Sequence, residues 1–347
     1  MKKTQHKIIN ADASNMDAIP DESVNLIVTS PPYPMIEMWD GVFSEQSERV
    51  KTALGNKDAQ GMFAGMHAVL DKVWDECDRV LANNGFACIN IGDATRTIDG
   101  KFQLFSNHSR IINYFASKGY SVLPDIIWRK KSNSPTKFMG SGMLPAGAYV
   151  TYEHEYILIF RKGNKRRFSN SERRLRQESA YFWEERNVWF SDLWELIGVA
   201  QEIKKKSVRE RSAAYPLELA YRLINMYSIK GDMVLDPFLG TGTTTLASIA
   251  AERNSIGIEL DPSLLEVSRE RILKGKDELN NRINKRIDDH LGFIASLSGE
   301  KLARCYDANF HSFKVKTRQE KNMIIRSVRD IHRFAKGHYL CEYSDIE

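Results

Sequence analysis

Cysteine is scarce in this chain. Four residues in 347, Cys77, Cys88, Cys305 and Cys341, lie far apart and form no CxxC pair. That scatter excludes a disulfide framework and a cysteine-based zinc site, and no metal is expected. Long apolar runs are also missing, so no membrane-spanning segment is expected, and MKKTQHKIIN at the start lacks the apolar stretch of a signal peptide. These absences lead to the expectation of a soluble, cytoplasmic protein. No internal repeat or low-complexity tract is found. Charge is only mildly one-sided, at +5, a lean toward anionic partners that identifies none.

What is present is 42% hydrophobic content, enough for one large core. Strand and helix signals alternate along most of the chain. Lys7 to Asn10 and Asn25 to Thr29 read as strands, and Met62 to Leu81 repeats its apolar residues at helical spacing. Asn83-Asn84-Gly85 is expected to end that helix, with Gly85 in the left-handed position. A strand at Phe86 to Ile91, a helix at Ser109 to Lys118 and strands at Val122 to Trp128 and Tyr156 to Phe160 follow. Later come a helix at Pro216 to Tyr227, a strand at Asp232 to Leu235 and a helix at Thr244 to Arg253. A strand at Ser255 to Leu260 and a helix at Pro262 to Leu279 complete the series. Strands separated by helices imply parallel pairing and a doubly wound α/β sheet. The tail beyond residue 280 reads as polar and mostly helical, with one strand signal at Phe313 to Val315.

Two stretches carry chemistry. Residues 29 to 33, TSPPY, stop an apolar strand on two prolines that cannot donate to a ladder. Residues 232 to 245, DMVLDPFLGTGTTT, run from a strand through a glycine turn into a helix, and Glu259 ends the next strand. Glycine lets a backbone approach a ligand, a helix start offers free N–H groups, and an acid in that place grips a ribose. The expected ligand contains a ribose and one anionic group. A phosphate-binding P-loop is excluded because no lysine follows Gly242. A dinucleotide fits less well, since Thr245 stands where the third glycine of GxGxxG belongs. S-adenosylmethionine has a ribose, an adenine and one carboxylate, and Asp236-Pro237-Phe238 before the turn sharpens that match.

TSPPY together with DPFLGTGTT resembles the DNA amino-methyltransferases, which methylate an exocyclic amine of cytosine or adenine. The SPPY motif comes first and FLGTG roughly two hundred residues later, similar to the circularly permuted beta-class order. The resemblance covers about residues 7 to 275. It implies a doubly wound, mostly parallel seven-stranded sheet with an inserted recognition segment, and S-adenosyl-L-methionine as cofactor. Residues 1–160 would form the catalytic half, 161–210 the target-recognition segment, 211–279 the cofactor half and 280–347 a C-terminal helical extension. Ser30 and the Pro31 carbonyl would accept hydrogen bonds from the target amine, Pro32 would help hold the turn, and Tyr33 would stack on a base rotated out of the duplex. Asp12 would lie near the adenine and Glu259 on the ribose. Asp236 would hold the methionine end, beside Pro237, Phe238, Gly240, Gly242 and Thr243. The family often has His-Pro where this chain has Tyr215-Pro216, and Trp128 and His154-Glu155-Tyr156 resemble further landmarks.

Serine in the SPPY position resembles the cytosine-N4 enzymes more than the adenine-N6 enzymes, which mostly carry Asp or Asn there. Ring-carbon methylation would need a cysteine nucleophile, and neither Cys77 nor Cys88 follows a proline in a catalytic turn. The reading is a site-specific cytosine-N4 methyltransferase acting on double-stranded DNA, functionally paired with a restriction endonuclease. Its rivals are adenine-N6 methylation and a non-catalytic DNA-binding protein on a degenerate fold. Residues 161 to 211 hold 14 Lys and Arg against 8 Asp and Glu. Arg166, Arg167, Arg173, Arg174, Arg176 and Lys204-Lys205-Lys206 are the expected DNA contacts, with Trp183, Trp189 and Trp194 as that segment's own small core.

Overall fold

The computed structural model describes residues 2–130, 139–140, 144–196 and 215–346. Ten strands form one sheet: β1 (Lys3–Asn10), β2 (Val24–Thr29), β3 (Leu81–Ile91), β4 (Ser121–Arg129), β5 (His154–Arg161), β6 (Leu193–Trp194), β7 (Met233–Asp236), β8 (Asn254–Glu259), β9 (Arg326–Ala335) and β10 (His338–Asp345). Their order is β6-β4-β5-β3-β2-β7-β8-β1-β10-β9. The central run β3-β2-β7-β8-β1 is parallel throughout, and β5 lies antiparallel between β3 and β4. The seven strands from β4 to β1 match the expected sheet. Three more extend it, the two-residue β6 at one edge and the β9–β10 hairpin at the other.

Apolar cores cover both faces, as a doubly wound sheet requires. Leu26, Val28 and Ile159 face the helices Leu217–Tyr227 and Thr243–Ala250, while Ile27, Ile89 and Phe160 face Ala59–Val80 and Asn107–Ser117. The Ala59–Val80 helix buries Met62, Met66, Val69, Leu70, Val73, Trp74 and Cys77 on one stripe, and the Asp58 side chain caps its start by accepting from Gly61 N at 3.0 Å.

Several local expectations need correction. The helix passes directly into β3 at Leu81, and Asn84 rather than Gly85 takes the positive φ, 75°. Gly85 serves close packing instead, because a Cβ there would lie 2.9 Å from the carbonyl of Asn25. The helix from Pro262 breaks at Gly275 into Pro262–Lys274 and Lys276–Ala295. β1 begins earlier than its apolar residues suggest, because Thr4 and His6 are buried in a polar pairing with Tyr343 and Ser255. Burial without a charged partner lowers the His6 imidazole to about 3, so it sits there neutral.

The tail is not a helical extension. After Lys276–Ala295 it contributes β10, antiparallel to β1, and β9 outside it. Tyr339, Cys341 and Tyr343 alternate inward, and Gly337 closes the hairpin at φ 71°. Nor do the tryptophans of 161–196 form a core of their own. Trp189 and Trp194 join the main core, and Trp183 stacks on Phe293 at 5.7 Å.

Candidate active site

The carboxyl ends of β2, β7, β8 and β1, four neighbouring parallel strands, open on a cavity of about 460 Å³. Open α/β sheets bind ligands at this edge. Ala11 and Asp12 leave β1 into it, Ser30, Pro31 and Pro32 leave β2, Asp236 to Thr241 leave β7, and Glu259 to Pro262 leave β8. Thus Asp12, Ser30, Pro31, Pro32, Asp236, Pro237, Phe238, Gly240, Thr243 and Glu259 converge from four distant stretches.

Glu259 lies across the mouth of the glycine turn. Its Oε2 accepts from Gly240 N and its Oε1 from Asp261 N, both at 2.8 Å. Each oxygen keeps one lone pair for a diol. Burial pushes this carboxyl up to about 7, against the pull of the two amides. The two glycines do different work. Gly240, at φ 53°, would point a Cβ into open space, with only the Phe238 carbonyl near, at 3.9 Å. Gly242, at φ 83°, turns instead toward the Pro262–Lys274 helix, where a Cβ would meet Ser268 at 3.2 Å. Gly240 thus leaves open space at its Cβ position beside the cavity, while the Cβ position of Gly242 faces a packed helix.

Asp236 organises the site from inside. Its Oδ1 accepts from Thr29 Oγ1 at 2.6 Å and Phe238 N at 3.1 Å. Its Oδ2 accepts from Thr244 Oγ1 at 2.6 Å and Tyr215 Oη at 3.3 Å. A carboxylate has about four acceptor positions, and all are taken. Tyr215, whose hydroxyl lies against both Asp236 and Thr244, thus occupies the place where the resembled family often has histidine. Sequence reasoning missed the cavity's apolar wall of Trp39, Phe43, Val69, Leu70 and Val73. Phe238 meets Trp74 edge-on at 5.8 Å.

On the β3 side of Ser30 lies a polar group that the sequence pointed to only through its resemblance. Ser30 Oγ donates to Tyr33 Oη at 3.1 Å, and Tyr33 Oη donates to Glu155 Oε2 at 2.9 Å. Asn90 Nδ2 donates to both Tyr33 Oη, at 2.8 Å, and Glu155 Oε2, at 2.7 Å. Lys130 closes the group with an ion pair to Glu155. The Tyr33 ring is buried, and burial together with the Glu155 charge raises its phenol well above the ordinary tyrosine value.

The arginines expected to touch DNA lie elsewhere. β5 runs antiparallel, so the chain after Arg161 emerges at the amino edge of the parallel strands, opposite the cavity. Arg166 there pairs with Asp232 at 2.7 Å and Glu172 at 2.9 Å. Arg174 pairs with Glu178, and Arg176 lies over the Phe168 ring. Arg167 and Arg173 are exposed. Lys204, Lys205 and Lys206 fall outside the described residues.

The glycine turn, the buried acid ending the next strand and the apolar slot at the carboxyl edge fit S-adenosylmethionine and define an S-adenosylmethionine-dependent methyltransferase. The DNA methylase family matches residues 24–270, and the chain belongs to it, among enzymes of the N4/N6 amino type. It is 52% identical over 347 residues to the type II methyltransferase M.MthZI of Methanothermobacter thermautotrophicus, across 99% of this chain and 96% of that protein. M.MjaI of Methanocaldococcus jannaschii is 51% identical over 284 residues, covering 78% of this chain and 91% of that one. A DNA modification methylase candidate of Thermus thermophilus, solved with S-adenosyl-L-methionine, superposes with a TM-score of 0.59 at 31% identity over 77% of this chain and 94% of that one. The cytosine-N4-specific PvuII DNA methyltransferase shares the fold, with a TM-score of 0.53 at 17% identity over 82% of this chain and 93% of that one. The protein is a DNA methyltransferase that uses S-adenosylmethionine.

Proposed function

We propose that this DNA methyltransferase modifies the exocyclic N4 amine of cytosine at a specific site in double-stranded DNA. The observation that carries the reading is Ser30. A neutral hydroxyl at the edge of the cofactor cavity directs its proton to Tyr33 and receives only a long contact, 3.5 Å, from Asn90 Nδ2, so it can accept from an amine. S-adenosylmethionine, when bound, supplies an electrophilic methyl group. The chain's own residues orient the acceptor. Ser30 Oγ and the Pro31 carbonyl take the two amine protons, turning the nitrogen lone pair out of ring conjugation toward the cavity. The base must leave the duplex to present that amine, since pairing otherwise buries it. Glu259 binds the ribose hydroxyls, Asp12 lies by the adenine, and Asp236 keeps Thr29, Tyr215 and Thr244 in register around the methionine end.

A cysteine nucleophile plays no part, since Cys77 and Cys88 are buried in the core and burial raises both thiols. Modification of host DNA against a restriction endonuclease of the same specificity is the proposed role, in keeping with the type II naming of the relatives. Target DNA approaches the carboxyl edge of the sheet, where Arg129 ends β4. Digestion of enzyme-treated DNA to nucleosides, with mass spectrometry of the product, tests the base assignment. N4-methylcytosine is expected. N6-methyladenine alone would overturn the choice of base.

A further inference from the structure

Ser30, Tyr33 and Glu155 form one directed chain of hydroxyl protons that ends on a buried carboxylate. Ser30 Oγ donates to Tyr33 Oη at 3.1 Å, and Tyr33 Oη donates to Glu155 Oε2 at 2.9 Å. Asn90 strengthens the direction. Its Nδ2 donates to Tyr33 Oη and to Glu155 Oε2, so one lone pair of the phenol oxygen is occupied and the phenol proton is left to the carboxylate. The packing is tight around it, because a Cβ on Gly92 would lie 2.9 Å from the Tyr33 ring and 3.3 Å from Glu155 Cγ. Glu155 is the second residue of β5, far from the SPPY turn in sequence, and Lys130, just after β4, balances its charge.

A serine hydroxyl left to rotate can donate or accept. Here its proton has a fixed acceptor, so what it offers toward the cavity is a lone pair. We propose that Glu155 is a positioning residue for methyl transfer, acting through Tyr33 to hold Ser30 as the acceptor of the target amine's proton. The inference rests on the amine-methylation reading above.

The same chain provides a destination for that proton. As the amine nitrogen forms its bond to the methyl carbon, the carbon–sulfur bond breaks and its electron pair stays on sulfur. The nitrogen then loses one proton to Ser30 Oγ. Ser30 passes its own proton to Tyr33 Oη, and Tyr33 passes its own to the Glu155 carboxylate. The atoms balance, with Glu155 protonated at the end and returned to carboxylate by loss of the proton to water. Tyr33 never carries a full negative charge, which suits a phenol whose ionisation burial opposes.

The test compares wild type, Glu155→Gln, Tyr33→Phe and the double variant in the full-length protein. Single-turnover methyl transfer to duplex DNA is measured alongside S-adenosylmethionine affinity by calorimetry. Glutamine keeps the size and an acceptor oxygen but removes the charge. Glu155→Gln should slow transfer by about 10²-fold, the scale of a lost proton-transfer group, with cofactor affinity changed less than about threefold. Tyr33→Phe should slow it similarly, and the double variant should be no slower than the worse single, because both act through one chain. Glu155→Asp should recover part of the rate. Wild-type transfer in Glu155→Gln, multiplying effects in the double variant, or loss of cofactor binding in Glu155→Gln would each overturn the proposal, the last by assigning Glu155 to the fold. The wild-type product is identified in the same assay. Methylated adenine would sink the cytosine assignment while the rates still judge the relay, and no methylated amine at all would sink both.

Discussion

Gly240 N donates to Glu259 Oε2 at 2.8 Å, joining the turn after β7 to the end of β8. The acid proposed to hold a ribose is thereby locked to the glycine loop at the mouth of the cavity. A diol donating to Glu259 favours its carboxylate, and burial holds that group near 7. S-adenosylmethionine affinity should therefore rise with pH up to about 7 and then level off, with proton release on binding near that pH. Calorimetry in two buffers of different ionisation enthalpy measures the release, and Glu259→Gln should abolish it. Stability should move the other way. The folded state holds this proton between about 4.5 and 7 while the unfolded chain has lost it, so this group's contribution falls as pH rises through that window.

Asp236 accepts from Thr29, Phe238, Thr244 and Tyr215, so its replacement should cost more than a ligand contact. Asp236→Asn turns one acceptor into a donor facing hydroxyls and leaves buried groups unpaired, each costing about 1–3 kcal/mol. Urea unfolding should show a lower midpoint at unchanged slope, with cofactor affinity reduced in parallel. A variant of native stability would return Asp236 to a purely ligand-binding role.

The two turn glycines should separate cleanly. Asparagine tolerates a positive φ, so Gly240→Asn should fold normally while its side chain enters the cavity and weakens S-adenosylmethionine binding by about tenfold or more. Gly242→Asn presses against Ser268 and should lower the melting temperature first. Thermal unfolding and calorimetry on both variants decide it, and the reverse pattern would exchange the two roles.

Arg173 and Arg174 lie on the Asn170–Glu178 helix, in the segment that leaves β5 at the amino edge of the sheet. Replacing both with alanine should leave the choice of DNA site, and the slope of affinity against salt, close to wild type. Arg129→Ala, at the carboxyl edge, should weaken binding and lower that slope by about one. Gel-shift titrations across salt concentrations measure both. A change of site in the Arg173/Arg174 variant would restore that helix as a recognition element.

How much of this was legible from residues alone follows the range of the physics involved. The SPPY turn, the glycine turn, the acid ending β8 and the 3.6-residue period of Ala59–Val80 are local matters of proline, glycine and side-chain spacing. They sufficed for the fold class, the cofactor and most of the cavity's polar residues. The β9–β10 hairpin lay half in view, in the alternation of Tyr339, Cys341 and Tyr343. Their polar neighbours hid it, as the buried Thr4 and His6 hid the start of β1. What only the tertiary structure decided depended on strand direction. Because β5 runs antiparallel, its start carries Glu155 to Tyr33 and its end carries Arg166 away to Asp232. A basic run looks the same in sequence whichever edge of the sheet it leaves from. Which charges meet DNA and which meet carboxylates of the same chain is set by pairing between strands far apart in sequence, and no local propensity encodes that.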